Sequence, residues 1–437
     1  MRLNAEGEFN MIALITCVAL IGLMLLGVPV CAAMGGTAAA MFAGLGYKEI
    51  MAVMAQRIYN GTTSFTMLAI PFFILAGNLM NTGGITDRIF NFAKACVGHW
   101  PGGLGQVNIV SSVIFSGMSG AAVADAAGLG MIEMKAMDDA GFPHKFSAGI
   151  TAGSSTIGPV IPPSIAFVVY SSCATEASVS QLFAAGFIPG FMMAAAMAVW
   201  VYYSSIKHKY PVEPRMPWKV RWNYFVKAIP SLMTIVIIVG GIWSGWFTAT
   251  EASIVACFYA LILSCFVYRE VKFKDLFKIV YDSIVTSCKT LFIIAIANFL
   301  AYFMTHQRVP NQVIDGMLSV TNNSVLLLLM IIFILLVLGM FLEGTAVILI
   351  VAPIFLPIVA QMGMSQLQFG VIMVLASMIG LLTPPVGMSL YAVSSVTDVP
   401  MLELSKEVIP YVVGILLVLL LCAFIPPLCT WLPSILV

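Results

Sequence analysis

Charge is scarce in this sequence. Its 437 residues include only 20 Lys and Arg and 19 Asp and Glu, 9% in all, where a water-soluble domain carries roughly a quarter. That leaves too little polar surface to coat a soluble fold. The net charge is +1, and no basic tract resembles a nucleic-acid surface, so nucleic acid is excluded as a partner. Histidine is rarer still: His99, His144, His208 and His306 fall at loops or span ends, away from the Ser-rich segments. No nucleophile–base pair is left for a hydrolase, and the chain is read as no enzyme. The nine cysteines are scattered with no CxxC pair, which argues against a disulfide frame or a zinc site and for small buried hydrophobes. No GxxxxGK[ST] phosphate loop occurs, so neither ATP hydrolysis nor an organic cofactor is expected.

What is abundant is apolar sequence, 61% of the chain. Runs such as Ser324 to Phe341 and Val408 to Phe424 exceed the ~10-residue alternating segments of a membrane barrel and suit helices. The expected class is an all-α integral membrane protein. Phe9 to Val28 has a weak basic flank and is followed at once by more apolar sequence, so it reads as a retained span.

The cations orient the spans. Lys207 to Lys227 holds Lys207, Lys209, Arg215, Lys219, Arg221 and Lys227 against one acid, Glu213, and a second cluster runs Arg269, Lys272, Lys274, Lys278. Both loops belong in the cytoplasm by the positive-inside rule, with Trp218 and Trp222 at headgroup level. Between them Ala228 to Trp246 runs out and Ala252 to Tyr268 returns. Leu104 to Met134 then starts and ends inside, as an inner re-entrant hairpin. Phe146 to Cys173 runs outward and Gln181 to Ile206 inward. Ile284 to Met304 runs outward, Ser324 to Ala360 forms an outer hairpin, Phe369 to Ser395 runs inward, and Val408 to Trp431 runs back out.

A motif repeats within this plan: IGPVIPP at Ile157 to Pro163 and IGLLTPP at Ile379 to Pro385. Each is followed at equal spacing by a Thr–acid pair, Thr175-Glu176 and Thr397-Asp398, and each is preceded by a hairpin with a Gly-containing tip. Matching Gly/Pro interruptions in two halves of opposite orientation mark an inverted-repeat transporter. The expected division is residues 1–206 as the first repeat (hairpin about 104–134, broken span about 146–173), 207–227 as a cytoplasmic basic linker, and 228–437 as the second repeat (hairpin about 324–360, broken span about 369–395).

LGVPV at Leu26 to Val30, FSGMSGAAVADAAGLG at Phe115 to Gly130, GSSTIGPVIPPS at Gly153 to Ser164 and GLLTPPVG at Gly380 to Gly387 together resemble the large membrane subunit of tripartite ATP-independent periplasmic (TRAP) transporters, over nearly the whole chain. The resemblance implies an elevator-type secondary transporter of the bacterial inner membrane, with a scaffold and a mobile transport domain. It implies a periplasmic binding protein that delivers an organic acid, with sialic acid slightly ahead of a C4-dicarboxylate. It also implies a small four-helix membrane subunit, expected as a separate chain because this one begins almost at the first span. The competing expectation is a stand-alone sodium- or proton-coupled carboxylate carrier with no binding protein.

The physical chemistry of the breaks adds candidate residues. Pro162-Pro163 and Pro384-Pro385 remove helical N–H donors, and the freed carbonyls near mid-bilayer suit a hard cation. Two Na⁺ sites are expected. One uses oxygens around Ser119, Ser155, Gly158 and Pro162, and the other those around Gly344, Thr345, Ser377, Gly380 and Thr383. The anionic substrate is expected between the hairpin tips, where helix N-termini offer N–H groups, with Ser116, Ser119 and Thr345 bonding its carboxylate. Asp125 and Glu343 are intramembrane acids and hence functional candidates, Glu343 alternatively as a helix cap and Asp125 alternatively as the partner of a neighbouring group. The stretch Ile85 to Trp100 is expected to lie in the interface as an arm. Asp138-Asp139 reads as a solvated turn, and Arg57, Arg308 and Asp315 as external residues.

Overall fold

The computed structural model describes residues 15–437 apart from 17, 25, 48, 49 and 64, and leaves the side chains of Ile50, Ser119 and Ala127 undescribed. The start of the Phe9 to Val28 span lies outside the described residues; 18–24 are helical. All regular structure among the described residues is helical. Seven of these helices are long and apolar enough to cross a membrane.

A group of packed helices comes first in each half. In the first half, Val30–Gly44, Ile50–Thr62 and Ala69–Thr82 pack against Ala249–Ile262 and the 34-residue Phe273–His306 of the second half. Local sequence sets the ends. Thr248 and Glu251 form a capping box that starts Ala249–Ile262, and Ser178 with Gln181 does the same for Val179–His208, satisfying first-turn N–H groups that have no partner within the helix. The helix Trp218–Ile235 runs on through a π turn to Trp243, so it begins earlier than Ala228. Because Val179–His208 and Trp218–Ile235 take up both its ends, the basic linker is non-helical only over 209–217.

Two helical hairpins follow the predicted pattern. The first pairs Gly103–Ser119 with Ala122–Ala127 and Leu129–Asp139; the second pairs Ser324–Gly339 with Gly344–Gln361. The return arm Gly344–Gln361 is apolar enough to span a bilayer, but 78% of it is buried inside the protein, against 33–56% for the other six candidate spans. It is therefore a protein-enclosed element rather than a lipid-facing span. The first hairpin extends past Met134 to Asp139. Asp138 and Asp139 end this helix instead of forming a solvated turn, and Asp138 pairs with His144.

An arm precedes each hairpin. Ile85–Val97 carries one buried face, as expected of an interfacial stretch, and Val309–Val320 is its counterpart in the second half. The first arm is tied to neighbouring segments by Arg88–Glu270 at 2.8 Å, by Lys94–Glu213 at 2.9 Å and by Arg88 stacked 3.7 Å over Tyr268. Arg57, read as external, lies 3.9 Å over the ring of Tyr302, a cation–π contact between Ile50–Thr62 and Phe273–His306.

The halves pack reciprocally. Ile165–Cys173 of the first broken span lies on Gly344–Gln361 of the second hairpin, and Met388–Thr397 of the second broken span lies on Ala122–Ala127 of the first. The closing helix Val179–His208 contacts Gln366–Leu381, and the closing helix Met401–Phe424 contacts His144–Ser155. Each broken element is thus enclosed by protein from both halves, which is where irregular backbone is tolerated at membrane depth.

Candidate transport site at the two helix breaks

Both spans are interrupted at their proline pairs. The first runs His144–Ser155, passes through turns at 156–164 and restarts as Ile165–Cys173; the second runs Gln366–Leu381, passes through 382–387 and restarts as Met388–Thr397. These bounds extend the expected spans by two or three residues at several ends. Pro162-Pro163 and Pro384-Pro385 are both cis. At the first restart Ser164 is the N-cap: its hydroxyl accepts from the Phe167 N–H at 3.2 Å and donates to the Pro159 carbonyl. At the second restart Gly387 has φ +49°, and its N–H donates to the Met340 carbonyl at 3.3 Å.

Each hairpin tip meets the break of its own half. Gly120 has φ +65°, and a Cβ there would lie 2.5 Å from the Pro163 carbonyl oxygen. Only glycine permits both that dihedral and that approach. In the second half, a Cβ on Gly344 would lie 3.2 Å from Cβ of Ser377, and Gly380 packs backbone to backbone on Gly339.

Oxygen converges at these points. The Asp125 carboxylate, itself buried, sits directly against Gly158, beside the Ser155 carbonyl. Ser155 Oγ donates to the Ala152 carbonyl at 2.9 Å, and Pro162 is buried in the turn that follows. In the second half Ser377 donates to Met373 O at 2.8 Å and Thr383 to Ile379 O at 2.7 Å. Ser116 donates to Val113 O at 2.7 Å. These hydroxyl protons are spent on their own helices, while each oxygen keeps lone pairs for another partner. Glu343 occupies the N-cap position of Gly344–Gln361 but makes no side-chain cap, which corrects the capping alternative. The side chain of Ser119 lies outside the described residues. Ser116 and Thr345 each stay within their own hairpin. A set built from carbonyls, hydroxyls and one carboxylate suits a hard cation.

Sequence reasoning missed several polar contacts around this core. Asn108 in the first hairpin donates to Thr151 Oγ1 at 2.9 Å and accepts from Ser154 Oγ at 2.6 Å, fastening the hairpin to the broken span. Gln368 donates to the carbonyls of Cys422 and Ala423 at 2.9 and 3.0 Å. An amide isolated in an apolar run was the available signal in both cases. Glu133 is buried, with Oε1 lacking a hydrogen-bond partner.

The two spans are also latched end to end. Tyr170 donates to the Gln366 carbonyl at 2.7 Å, and the Glu176 N–H donates to Gln366 Oε1 at 3.1 Å. At the opposite ends, His144 Nε2 meets the Thr397 carbonyl at 2.8 Å and Nδ1 meets Asp138 at 2.7 Å. His144 lies before the apolar stretch that begins at Phe146. Both of its partners are acceptors, so only the imidazolium satisfies both. The Thr397 carbonyl, then the Asp138 carboxylate, raise its pKa above the ordinary value. The latch is therefore complete below about pH 6.5 and weakens as pH climbs through the higher folded-state value. Thermal melts across that window should show declining stability in the wild type and a flat profile in His144→Gln. Parallel profiles would remove the latch.

An all-helical membrane fold whose two hairpin tips meet two broken helices defines a membrane-transporter fold. The Alcanivorax borkumensis YdaH transporter shares it (TM-score 0.61, 13% identity, covering 95% of this chain and 99% of that one). So does Neisseria gonorrhoeae MtrF (TM-score 0.61, 12% identity, 88% and 84%). The chain belongs to the family described as the tripartite ATP-independent periplasmic transporter DctM component, whose model matches residues 17–428. It is similar to the Vibrio cholerae sialic acid TRAP transporter large permease protein SiaM, 40% identical over 87% of this chain and 89% of that one. It is also similar to the Haemophilus influenzae sialic acid TRAP transporter permease protein SiaT (39%; 95% and 67%) and to the Rhodobacter capsulatus C4-dicarboxylate TRAP transporter large permease protein DctM (34%; 98% and 100%). The protein is thus a multi-pass large permease of the bacterial inner membrane that serves TRAP-type transport, and not an enzyme.

Proposed function

We propose that this permease couples inward Na⁺ movement to uptake of an organic acid handed over by a periplasmic binding protein, with a separate small membrane subunit bracing the scaffold. The observation that carries the reading is the oxygen-lined meeting of each hairpin tip with its own helix break. One ion sits in each half. In the first, Asp125 and the oxygens around Ser119, Ser155, Gly158 and Pro162 hold it. In the second, those around Gly344, Thr345, Ser377, Gly380 and Thr383 do so. The substrate carboxylate lies between the tips, within reach of Ser116, Ser119 and Thr345.

Residues 1–206 and 228–437 act as inverted repeats, joined by the basic segment 207–227. Their reciprocal packing supports this division. The hairpins and broken spans move as one body, held together by the Asn108 contacts and the end latches. The scaffold keeps the first arm through Arg88–Glu270 and Lys94–Glu213. Sialic acid is favoured over C4-dicarboxylates, because relatives named for it are 39–40% identical and those named for C4-dicarboxylates 34–37%.

The test is uptake of labelled sialic acid and succinate into proteoliposomes holding the permease, the small subunit and the binding protein. Uptake should require a Na⁺ gradient and be larger for sialic acid. Thr383→Val should need several times more Na⁺ for half-maximal rate, on the order of the 1 kcal/mol that one hydroxyl contact is worth. Unchanged Na⁺ activation in that variant would strike Thr383 from the site.

A further inference from the structure

The cytoplasmic linker carries a site that the transport cycle does not use. A cleft of about 300 Å³ lies at the start of Trp218–Ile235, lined by Arg215, Met216, Pro217, Trp218 and Arg221. Arg215 and Arg221 take part in none of the ion pairs among the described residues. Arg221 is half-buried, its Nε is shut off from solvent without a hydrogen-bond partner, and its terminal nitrogen faces His99 Nδ1 at 3.4 Å. His99 feels both arginines, and its pKa is lowered by burial first and then by Arg221 and Arg215. The nearest acid, Glu213, is already committed to Lys94 at 2.9 Å. No side chain caps the helix that opens here, so its N-terminal partial charge adds to the same field.

Trp218 of the cleft and the nearby Trp222 reach outward. Trp218 is 75% exposed and Trp222 55% exposed, on the helix that enters the bilayer. Indole rings at this position sit at headgroup depth. Two guanidinium groups without a carboxylate partner, an uncapped helix start and an indole at the membrane surface call for an anion with an apolar tail.

We propose that this cleft binds the phosphodiester headgroup of an anionic phospholipid, with Arg215 and Arg221 on the phosphate oxygens and Trp218 along the acyl–glycerol region. Guanidinium forks match phosphate oxygens in pairs, and basic pockets on the cytoplasmic side of membrane proteins recognise such headgroups. The lipid would join the linker to the end of the first arm at His99 and Trp100, beside the Lys94–Glu213 pair.

The test is native mass spectrometry of the purified protein titrated with phosphatidylglycerol, cardiolipin or phosphatidylcholine, alongside thermal-shift titration with inorganic phosphate. The wild type should retain the anionic lipids over phosphatidylcholine. Retention should fall about fivefold for each arginine removed in Arg215→Gln and Arg221→Gln. Lys227→Gln, on the same helix but outside the cleft, should change little, and Arg221→Lys should recover only part of the loss because it keeps charge without the fork. Equal retention in the arginine variants, equal loss in Lys227→Gln, or stabilisation by free phosphate matching that by lipid would each overturn the proposal. None of these readouts depends on Na⁺ coupling or substrate, so their failure is separable from that of the transport reading.

Discussion

Asp125→Asn is expected to raise the Na⁺ concentration for half-maximal uptake by about 10–100-fold, each tenfold step being 1.4 kcal/mol, with little change in fold. Asp125 is buried in the first hairpin, and its carboxylate lies against Gly158 beside the Ser155 carbonyl. A charge in that setting is costly unless something opposes it, and intramembrane carboxylates mark ion pathways. The amide keeps the shape and removes the charge, so loss of Na⁺ sensitivity at preserved thermal stability would separate ion binding from packing. Gly158→Ala should act in the same direction, because its methyl group would intrude on the carboxylate. Na⁺ activation unchanged in Asp125→Asn would leave the first site without its only charged ligand.

Gly380→Ala should be the most damaging change in the second half. A Cβ at this position would sit 2.5 Å from the Gly339 carbonyl oxygen and closer still to other Gly339 backbone atoms. Backbone cannot swing aside as a side chain does, and close helix approach through small residues is what holds such membrane interfaces. Overpacking of this kind costs about 1–3 kcal/mol. Because the strain falls between the second hairpin and its broken span, uptake should drop by about tenfold or more, as one 1.4 kcal/mol step implies. Thermal stability and uptake, measured together, check it. A variant with wild-type values for both would show that the Gly339–Gly380 contact has no part in the site.

Much of this architecture is legible in the residues. Both proline pairs interrupt their helices where IGPVIPP and IGLLTPP placed them, because a missing N–H and a clashing ring act locally whatever the tertiary context. The hairpins were visible as Gly-tipped apolar runs, and the first arm as the amphipathic stretch from Ile85. The long-range partners were not legible. Nothing near Asn108 in the chain announces Thr151 and Ser154, and nothing near His144 announces Thr397, 253 residues away. The Thr–acid pairs were recognisable only as marks of a repeat. The structure shows that the ends carrying them are latched to the other span, through the Glu176 N–H in one half and the Thr397 carbonyl in the other. Asp138 escapes a local reading for the same reason, since an acidic pair after a hairpin looks solvated until a histidine is placed beside it. Glu343 shows the converse error: it has the position of a cap but makes no cap hydrogen bond.

The central claim is that each half of the chain holds one cation where its hairpin tip meets its broken helix. Equilibrium binding of radioactive Na⁺ to the purified permease with its small subunit tests this most directly. The account predicts two ions bound per permease chain, falling to one in Asp125→Asn with the second-half site intact. A stoichiometry of zero, or two ions retained in that variant, would contradict it.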